Sequence, residues 1–176
     1  MSEKKDVLPI RILGDKVLRE KASPIEDLND EIIKLARKME VTMKMANGIG
    51  LAAPQVGKSI RLFVVDAEYL EIAKKPMVFI NPQIVETYGE SEFEEGCLSI
   101  PGLYANVTRP KKIVVKTLIL RRKKLVEREF EADELFARVI QHELDHLDGV
   151  LFIDHLPPEE RVELLREWSQ QRHSMG

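Results

Sequence analysis

The sequence predicts an α+β fold. Strand-like segments are grouped in the middle of the chain, they do not alternate regularly with helices, and helical periodicity returns after them. The 176 residues suffice for one domain with a hydrophobic core and are too few for two ordinary ones. No repeat, low-complexity tract or Gly/Ser/Pro-rich linker divides the sequence, so we expect a single domain over residues 1–176.

The first predicted element is an amphipathic helix over residues 27–46. Either Asp27 or Asn29 can serve as its N-cap, and the Asn-Gly-Ile-Gly segment at 47–50 is a natural stop. Apolar residues recur there at spacings of three and four, namely Leu28, Ile32, Leu35, Ala36, Met39 and Met43.

Strand-like segments follow the first helix. Residues 60–66 and 77–82 are rich in β-branched and aromatic side chains and end in turn residues, and residues 83–88 follow closely. Residues 112–120 and 124–131 predict the two arms of a hairpin. The basic run Arg-Arg-Lys-Lys that joins them is expected at a solvated hairpin tip.

Helical spacing returns from Asp133 to Leu147, and Gly149 is expected just past the end of this helix. Charged and amide side chains form only a narrow stripe on its wheel, so the helix should be buried over more than half its circumference. A C-terminal helix over residues 158–171 is predicted after Pro157, because a proline at position 158 suits a first helical turn.

Composition and charge exclude several classes of function. With 27 basic against 30 acidic side chains the formal net charge is −3, so no basic field exists to hold nucleic acid. The first residues are polar, unlike a signal peptide, and no apolar run approaches the roughly 18 residues of a membrane span. The single cysteine excludes an intramolecular disulfide. Together these features predict a cytoplasmic protein.

The segment Gln-His-Glu-Leu-Asp-His, residues 141–146, carries the first chemical motif. Two histidines four residues apart lie on one helical face and can bind one metal ion through a nitrogen each. Glu143 lies about 100° round the helix, where it can reach a water bound to that ion. The pattern therefore predicts His142 and His146 as ligands and Glu143 as general base.

A third ligand has to come from elsewhere in the chain. Phe152 stands where metzincins carry their third histidine, so that pattern fails. The glutamates of the C-terminal helix are expected on a solvated face, and His155 in an exposed connection. Cys97 is the best candidate, since a thiolate binds zinc or ferrous iron and a Cys-His-His set leaves a fourth position for water. Taken alone, Cys97 also fits a small buried hydrophobe.

The segment at 47–57, Asn-Gly-Ile-Gly-Leu-Ala-Ala-Pro-Gln-Val-Gly, is expected to pack close to a ligand. Its glycines and alanines permit close approach, and the glycines can adopt positive φ. It lacks the Lys-Ser/Thr of a phosphate loop. Gln55 can donate a hydrogen bond to a developing oxyanion, and a turn-capping amide is the alternative interpretation.

With these three segments together, the sequence resembles the peptide deformylases. Gly-Ile-Gly-Leu-Ala-Ala-Pro-Gln at 48–55, Glu-Gly-Cys-Leu-Ser at 95–99 and the histidine motif at 141–146 match that family's three motifs, in order and with similar separations. The likeness extends to Ile-Asn-Pro at 80–82 and Arg-Pro at 109–110.

The resemblance implies a hydrolase that removes the formyl group from the N-terminal formylmethionine of nascent polypeptides and releases formate. It implies antiparallel β-sheets packed around a central helix that carries the histidines, with an N-terminal and a C-terminal helix. It also implies one divalent metal ion per chain, commonly Fe²⁺ in this family, with Zn²⁺ or Ni²⁺ also accepted. Glu143 would be the acid/base, and Gln55 with the backbone N–H of Leu98 would stabilise the oxyanion. The implied metal ligands are Cys97, His142 and His146.

The methionine side chain of such a substrate needs an apolar pocket beside the metal. Leu135 and Val139, on the face of His142, can form one wall and, by family analogy, Phe93 another; a plain core role is the alternative. The 48–50 backbone can pair with an extended peptide as an added strand. The role of Tyr104 stays open. The expected substrate-contacting residues are Gly48, Ile49, Gly50, Phe93, Leu135 and Val139.

Two alternatives remain for the function. Another metal-dependent amidase or peptidase would cleave unformylated peptides. A non-catalytic zinc-stabilised module would need four protein ligands, whereas the sequence offers three, and it gives Glu143 no purpose. The expected partners are N-formylmethionyl peptides, and nascent chains as substrates make the ribosome a partner to test, although no motif encodes that contact.

Overall fold

The structure, a computed structural model, describes residues 6–175. Short 3₁₀ helices lie at Lys16–Arg19, Ala53–Val56 and Phe152–His155. The main elements, in chain order, are α1 Asp30–Met45, β1 Gly50–Ala52, β2 Leu62–Val65, β3 Met77–Tyr88, β4 Ser91–Cys97, β5 Ile100–Arg109, β6 Lys112–Arg121, β7 Lys124–Asp133, α2 Glu134–Leu147 and α3 Pro158–Met175. The predicted α+β class is confirmed.

The strands form two antiparallel sheets. A five-stranded sheet has the order β1-β2-β3-β6-β7, and β4 pairs with β5 in a separate two-stranded sheet. The hairpin β6–β7 is confirmed, but its turn is tighter than predicted. Arg121 pairs with Lys124, which leaves a two-residue turn in which Arg122 has a φ of 59°.

Alternate residues of the central strands face opposite sides of the five-stranded sheet, and a helix covers each side. Phe63 and Phe79 stack at 4.7 Å on the side of α2, whereas Leu62 and Val64 pack with α1. Burial of one such side chain stabilises the fold by roughly 1.5–3 kcal/mol. A third buried cluster joins β5, the 152–155 turn and α3. The sheets therefore pack around α2, as predicted.

The helix ends follow the expected capping chemistry. Asn29, rather than Asp27, caps α1, because its side chain accepts the Ile32 N–H. Gly149 follows α2 with a φ of 74° and donates to the His146 carbonyl, while Val150 donates to Asp145. This is the Schellman arrangement, so the helix stop is confirmed. The last helix begins at the predicted proline and runs four residues longer than expected.

Three strands were not predicted, and one was predicted in two pieces. Strand β4 has no apolar alternation, since only Glu95 in it is buried. Strand β5 does alternate, but one inward position is Arg109, which hides the pattern. Strand β1 is only three residues long. Strand β3 continues through irregularities around Asn81, whose φ is 52°, where the sequence suggested a break. Among the described residues, no helix is both long and apolar enough to cross a membrane.

Candidate metal centre

The three predicted metal ligands meet at one point between the two sheets. Ligand atoms of Cys97, His142 and His146 all lie within 4.8 Å of one another. The Cys97 Sγ is 3.3 Å from His146 Nε2. Two ligands of a tetrahedral centre with zinc-like bond lengths are about 3.5 Å apart. The donor set and its spacing therefore fit one divalent ion.

Strand β4 and helix α2 bring these ligands together. Cys97 is the last residue of β4, and the two histidines stand one turn apart on α2 with their ring centroids 5.1 Å from each other. Phe152, which replaces the third histidine of metzincins, stacks on His142 at 6.0 Å. It is buried and shields the ligand from solvent.

The ring nitrogens have different surroundings. His142 Nδ1 lies 2.9 Å from Glu95 Oε1, which leaves Nε2 for the ion. His146 Nδ1 is buried without a hydrogen-bond partner among the described residues, and burial lowers the pKa of His146. A neutral imidazole is the form that binds a metal.

Glu143 is buried beside the ligands, with 4% of its surface exposed. Burial raises the pKa of its carboxyl to about 7, although His142 acts in the opposite direction. Strand β1 passes so close that a Cβ on Gly50 would lie 2.6 Å from the Glu143 Oε2. The glycine thus admits the carboxyl, whose pKa near neutrality suits proton transfer in both directions.

Gln55 caps a turn with one end of its amide and directs the other end toward Cys97. Its Oε1 accepts the Ala52 N–H at 2.9 Å, which caps the turn. Its Nε2 donates to Ser99 Oγ at 3.1 Å and lies 3.6 Å from Cys97 Sγ. The side chain is 1% exposed, so the amide is fixed with its N–H₂ group toward the ligands.

A cavity of about 440 Å³ opens beside the ligands. Phe93 stands at its mouth, and the ring of Tyr104 lies against Gly96, where a Cβ would meet the ring at 2.5 Å. Leu98 lines it as well. A second hollow of about 250 Å³ on the large sheet has neither cysteine nor histidine in its lining. The larger cavity holds every predicted substrate-contacting residue: Gly48, Ile49, Gly50, Phe93, Leu135 and Val139.

The glycines of the 47–57 segment mainly allow neighbouring side chains to lie close to the backbone. Gly57 has a φ of 88°, but Gly48 and Gly50 are not among the residues with positive φ. A Cβ on Gly48 would lie 2.8 Å from Leu98 Cδ1. The glycines pack closely against protein side chains, and the expectation of positive φ holds at one of the three.

Sequence reasoning missed a buried charge network behind the ligands. Glu95 accepts from Arg109 Nε and from Arg138 Nη1, both at 2.6 Å, as well as contacting His142. Burial alone would raise the pKa of Glu95, but the bonds from His142 and Arg109 outweigh it and hold that pKa well below its usual range. Arg109 also binds Asp145 at 2.9 Å. On the polar side of α2, Arg138 and Gln141 are therefore buried, whereas Glu134 and Asp148 stay exposed.

Known proteins are similar in sequence to this chain over most of its length. A family model described as polypeptide deformylase matches residues 7–162. The peptide deformylase of Pelodictyon phaeoclathratiforme is 45% identical over 163 residues, covering 92% of this chain and 85% of the relative. That of Hydrogenovibrio crunogenus is 46% identical and covers 94% and 95%.

The solved structures that are similar to this chain are also peptide deformylases. A peptide deformylase crystal structure from Legionella pneumophila matches with a TM-score of 0.87 and 40% identity, over 96% of this chain and 97% of that one. One from Synechococcus elongatus in complex with actinonin gives a TM-score of 0.83 and 42% identity, over 92% and 86%. Since sequence and fold agree over nearly all of its length, this chain belongs to the polypeptide deformylase family.

Proposed function

We propose that the protein hydrolyses the N-formyl group of the N-terminal formylmethionine of new polypeptides and releases formate and a free amine. One observation carries the proposal: three side chains that can bind a metal converge beside an open cavity, with a buried carboxyl next to them. A structural zinc site would be closed by a fourth protein ligand, whereas three ligands and an adjacent acid/base are typical of a hydrolytic centre.

Cys97, His142 and His146 would hold one divalent ion. Fe²⁺ is the proposed ion, and Zn²⁺ and Ni²⁺ are compatible with a thiolate and two imidazoles. When bound, such an ion polarises the formyl carbonyl and acidifies the attacking water. Glu95 keeps the His142 ring oriented by holding its other nitrogen.

Glu143 would move the proton of the reaction. It takes a proton from the attacking water and passes it to the leaving amine, which is the usual double role of a general acid/base. Its raised pKa, about 7 because of burial, makes both transfers accessible near neutral pH.

Gln55 and the backbone N–H of Leu98 would stabilise the charge that develops on the formyl oxygen. The bond from Ala52 N–H to Gln55 Oε1 fixes the amide before the reaction starts, so no reorganisation is needed as charge develops. Both residues line the cavity beside the ligands.

The substrate would enter as an extended chain. Its methionine side chain would pack against Leu135 and Val139 with Phe93 opposite, and its backbone would pair with residues 48–50. We place the reaction in the cytosol, where reducing conditions keep Cys97 free to bind metal, and near the ribosome, where formylated chains emerge.

Formate release from formyl-Met-Ala-Ser, measured anaerobically with added Fe²⁺, tests the proposal. The wild type should release formate, and Glu143→Ala should lose about 10²–10⁴ of the rate while it retains its metal, because only the proton carrier is removed. A metal-loaded wild type that leaves the formyl group in place would show that the proposal is wrong. Cleavage of unformylated Met-Ala-Ser would favour the alternative of a general amidase or peptidase.

A further inference from the structure

Arg138 is a buried cation on the wall of the cavity, and the chemistry described above does not use it. It precedes Val139 on α2 and is 5% exposed. Its Nη1 donates to Glu95 Oε2 at 2.6 Å and to the Val107 carbonyl at 2.9 Å. Its Nη2 donates to the carbonyl and hydroxyl oxygens of Ser91 at 2.7 and 3.1 Å. One side chain thereby ties α2 to both strands of the two-stranded sheet.

The same guanidinium lies under the ring of Phe93. The Arg138 Cζ is 5.7 Å from the centroid of that ring, within the range of a cation–π contact. Phe93 is 55% exposed and belongs to none of the three buried clusters found among residues 6–175. Arg138 thus contacts this ring from the side of α2, while the Phe93 backbone pairs with Val107 of β5.

Four of the five N–H donors of Arg138 are already bonded, and Glu95 balances its charge. A substrate side chain in the cavity would thus meet a flat, ordered surface with few free donors. Such a surface suits an apolar, polarisable thioether better than a charged group.

We propose that Arg138 determines specificity by positioning Phe93 and strand β4 against α2, which sets the width of the pocket for the methionine side chain. This inference rests on the proposed deformylase function and adds a positioning residue to it. A lysine could not replace Arg138, since it lacks the planar fork that reaches Ser91, Glu95 and Val107 together.

Arg138→Lys tests the inference with two substrates, formyl-Met-Ala-Ser and formyl-Ala-Ala-Ser. The readout is the preference for methionine, defined as kcat/KM for the methionine peptide divided by kcat/KM for the alanine peptide. Because the alanine side chain does not fill the pocket, we expect this ratio to fall about tenfold, through a higher KM for the methionine peptide. Arg128→Lys, the same exchange at an exposed position of β7, is the matched control and should keep the ratio.

Phe93→Ala is the second variant and keeps the test decisive if Arg138→Lys does not fold. Phe93→Ala should lower the same ratio. The double variant Phe93→Ala/Arg138→Lys should lower it little further, because both changes affect the same wall of the pocket. A parallel loss on both peptides, or an unchanged ratio in Phe93→Ala, would overturn the inference and leave the deformylase function standing. A wild type inactive on both peptides would overturn the proposed function, and the inference with it.

Discussion

At the scale of single residues, the two ends of the Gln55 amide have different partners. Its oxygen is held by the Ala52 N–H, and its nitrogen faces Ser99 and Cys97. The sequence left a turn-capping and an oxyanion-binding role as alternatives. Each uses a different end of the amide, so the two roles are compatible.

Replacement of Gln55 by glutamate separates these two ends. Glu keeps an oxygen for Ala52 N–H but removes the donor that would face the oxyanion. We expect kcat for formyl-Met-Ala-Ser to fall about 10²–10³-fold with little change in KM, because the lost bond acts in the transition state. Steady-state kinetics with metal content measured in parallel checks this.

Ser99→Ala is the control for that prediction, since it removes the partner of Gln55 Nε2 and keeps the amide itself. Its effect on kcat should be much smaller. A Gln55→Glu enzyme with full metal content and an unchanged kcat would assign Gln55 to the turn alone.

The sequence predicts part of the site from local spacing and the rest from elimination and from the family resemblance. His142, Glu143 and His146 follow from helical geometry, and the structure places Cys97 beside them. The pairing of Arg138 with Glu95 could not be predicted, because it depends on where β4 lies against α2. Burial of a charged side chain is a property of its neighbours in space, which local spacing does not contain.

At the scale of elements, the errors of prediction share a physical cause. Strands β2, β3 and β6 of the large sheet bury runs of apolar residues and were found from them, whereas β1 is too short to show a pattern. Strand β4 is exposed along most of its length, and β5 turns Arg109 inward. Strand β4 therefore lacks apolar periodicity, whereas β5 alternates from Leu103 to Val107 and loses the pattern at Arg109. The elements hardest to predict are thus those that form the cavity wall.

The 3₁₀ turn at 152–155 shows how one carboxylate can secure an element. Asp154 accepts the Leu151 N–H at 3.0 Å and binds the Arg19 guanidinium through both oxygens, at 2.6 and 3.2 Å. These contacts join the 3₁₀ turn at residues 152–155 to the 3₁₀ turn at residues 16–19. Burial tends to raise the pKa of Asp154, but the bonds from Arg19 and Leu151 outweigh it and lower that pKa below 3.8.

Asp154→Asn should reduce the free energy of unfolding at pH 7 by about 1 kcal/mol, since a cap and a half-exposed ion pair are weakened. A carboxyl whose pKa is lowered by folding stabilises the folded state at pH values above its pKa in the unfolded chain, here 3.8. This stabilisation is lost as the pH falls below that value and through the pKa of the folded state. The difference between wild type and variant should therefore shrink below about pH 4. Urea denaturation of both proteins at several pH values measures this difference in the free energy of unfolding.

Asp27→Asn removes the same charge from an exposed position and serves as the control for Asp154→Asn. It should change the free energy of unfolding little at any of these pH values. A difference between wild type and Asp154→Asn that stays constant down to pH 3 would contradict the assigned role of the ion pair.

At the scale of the whole molecule, the three candidate ligands come from different parts of the fold. Cys97 comes from the two-stranded sheet, and both histidines come from the helix that packs on the five-stranded sheet. The remaining links between β4–β5 and α2 include the ion pairs Arg138–Glu95 and Arg109–Asp145. An ion held by both sides would therefore act as a cross-link between the two sheets.

Removal of the metal by a chelator should lower the thermal unfolding midpoint of the wild type. An ion that binds only the folded chain stabilises it by about 4 kcal/mol when its free concentration exceeds Kd a thousandfold. Amide hydrogen exchange should rise more in β4 and β5 than in the β6–β7 hairpin, because the cross-link is lost on that side. In Cys97→Ser the chelator should shift the midpoint much less. An equal shift in both proteins would mean that the stabilising ion binds away from Cys97.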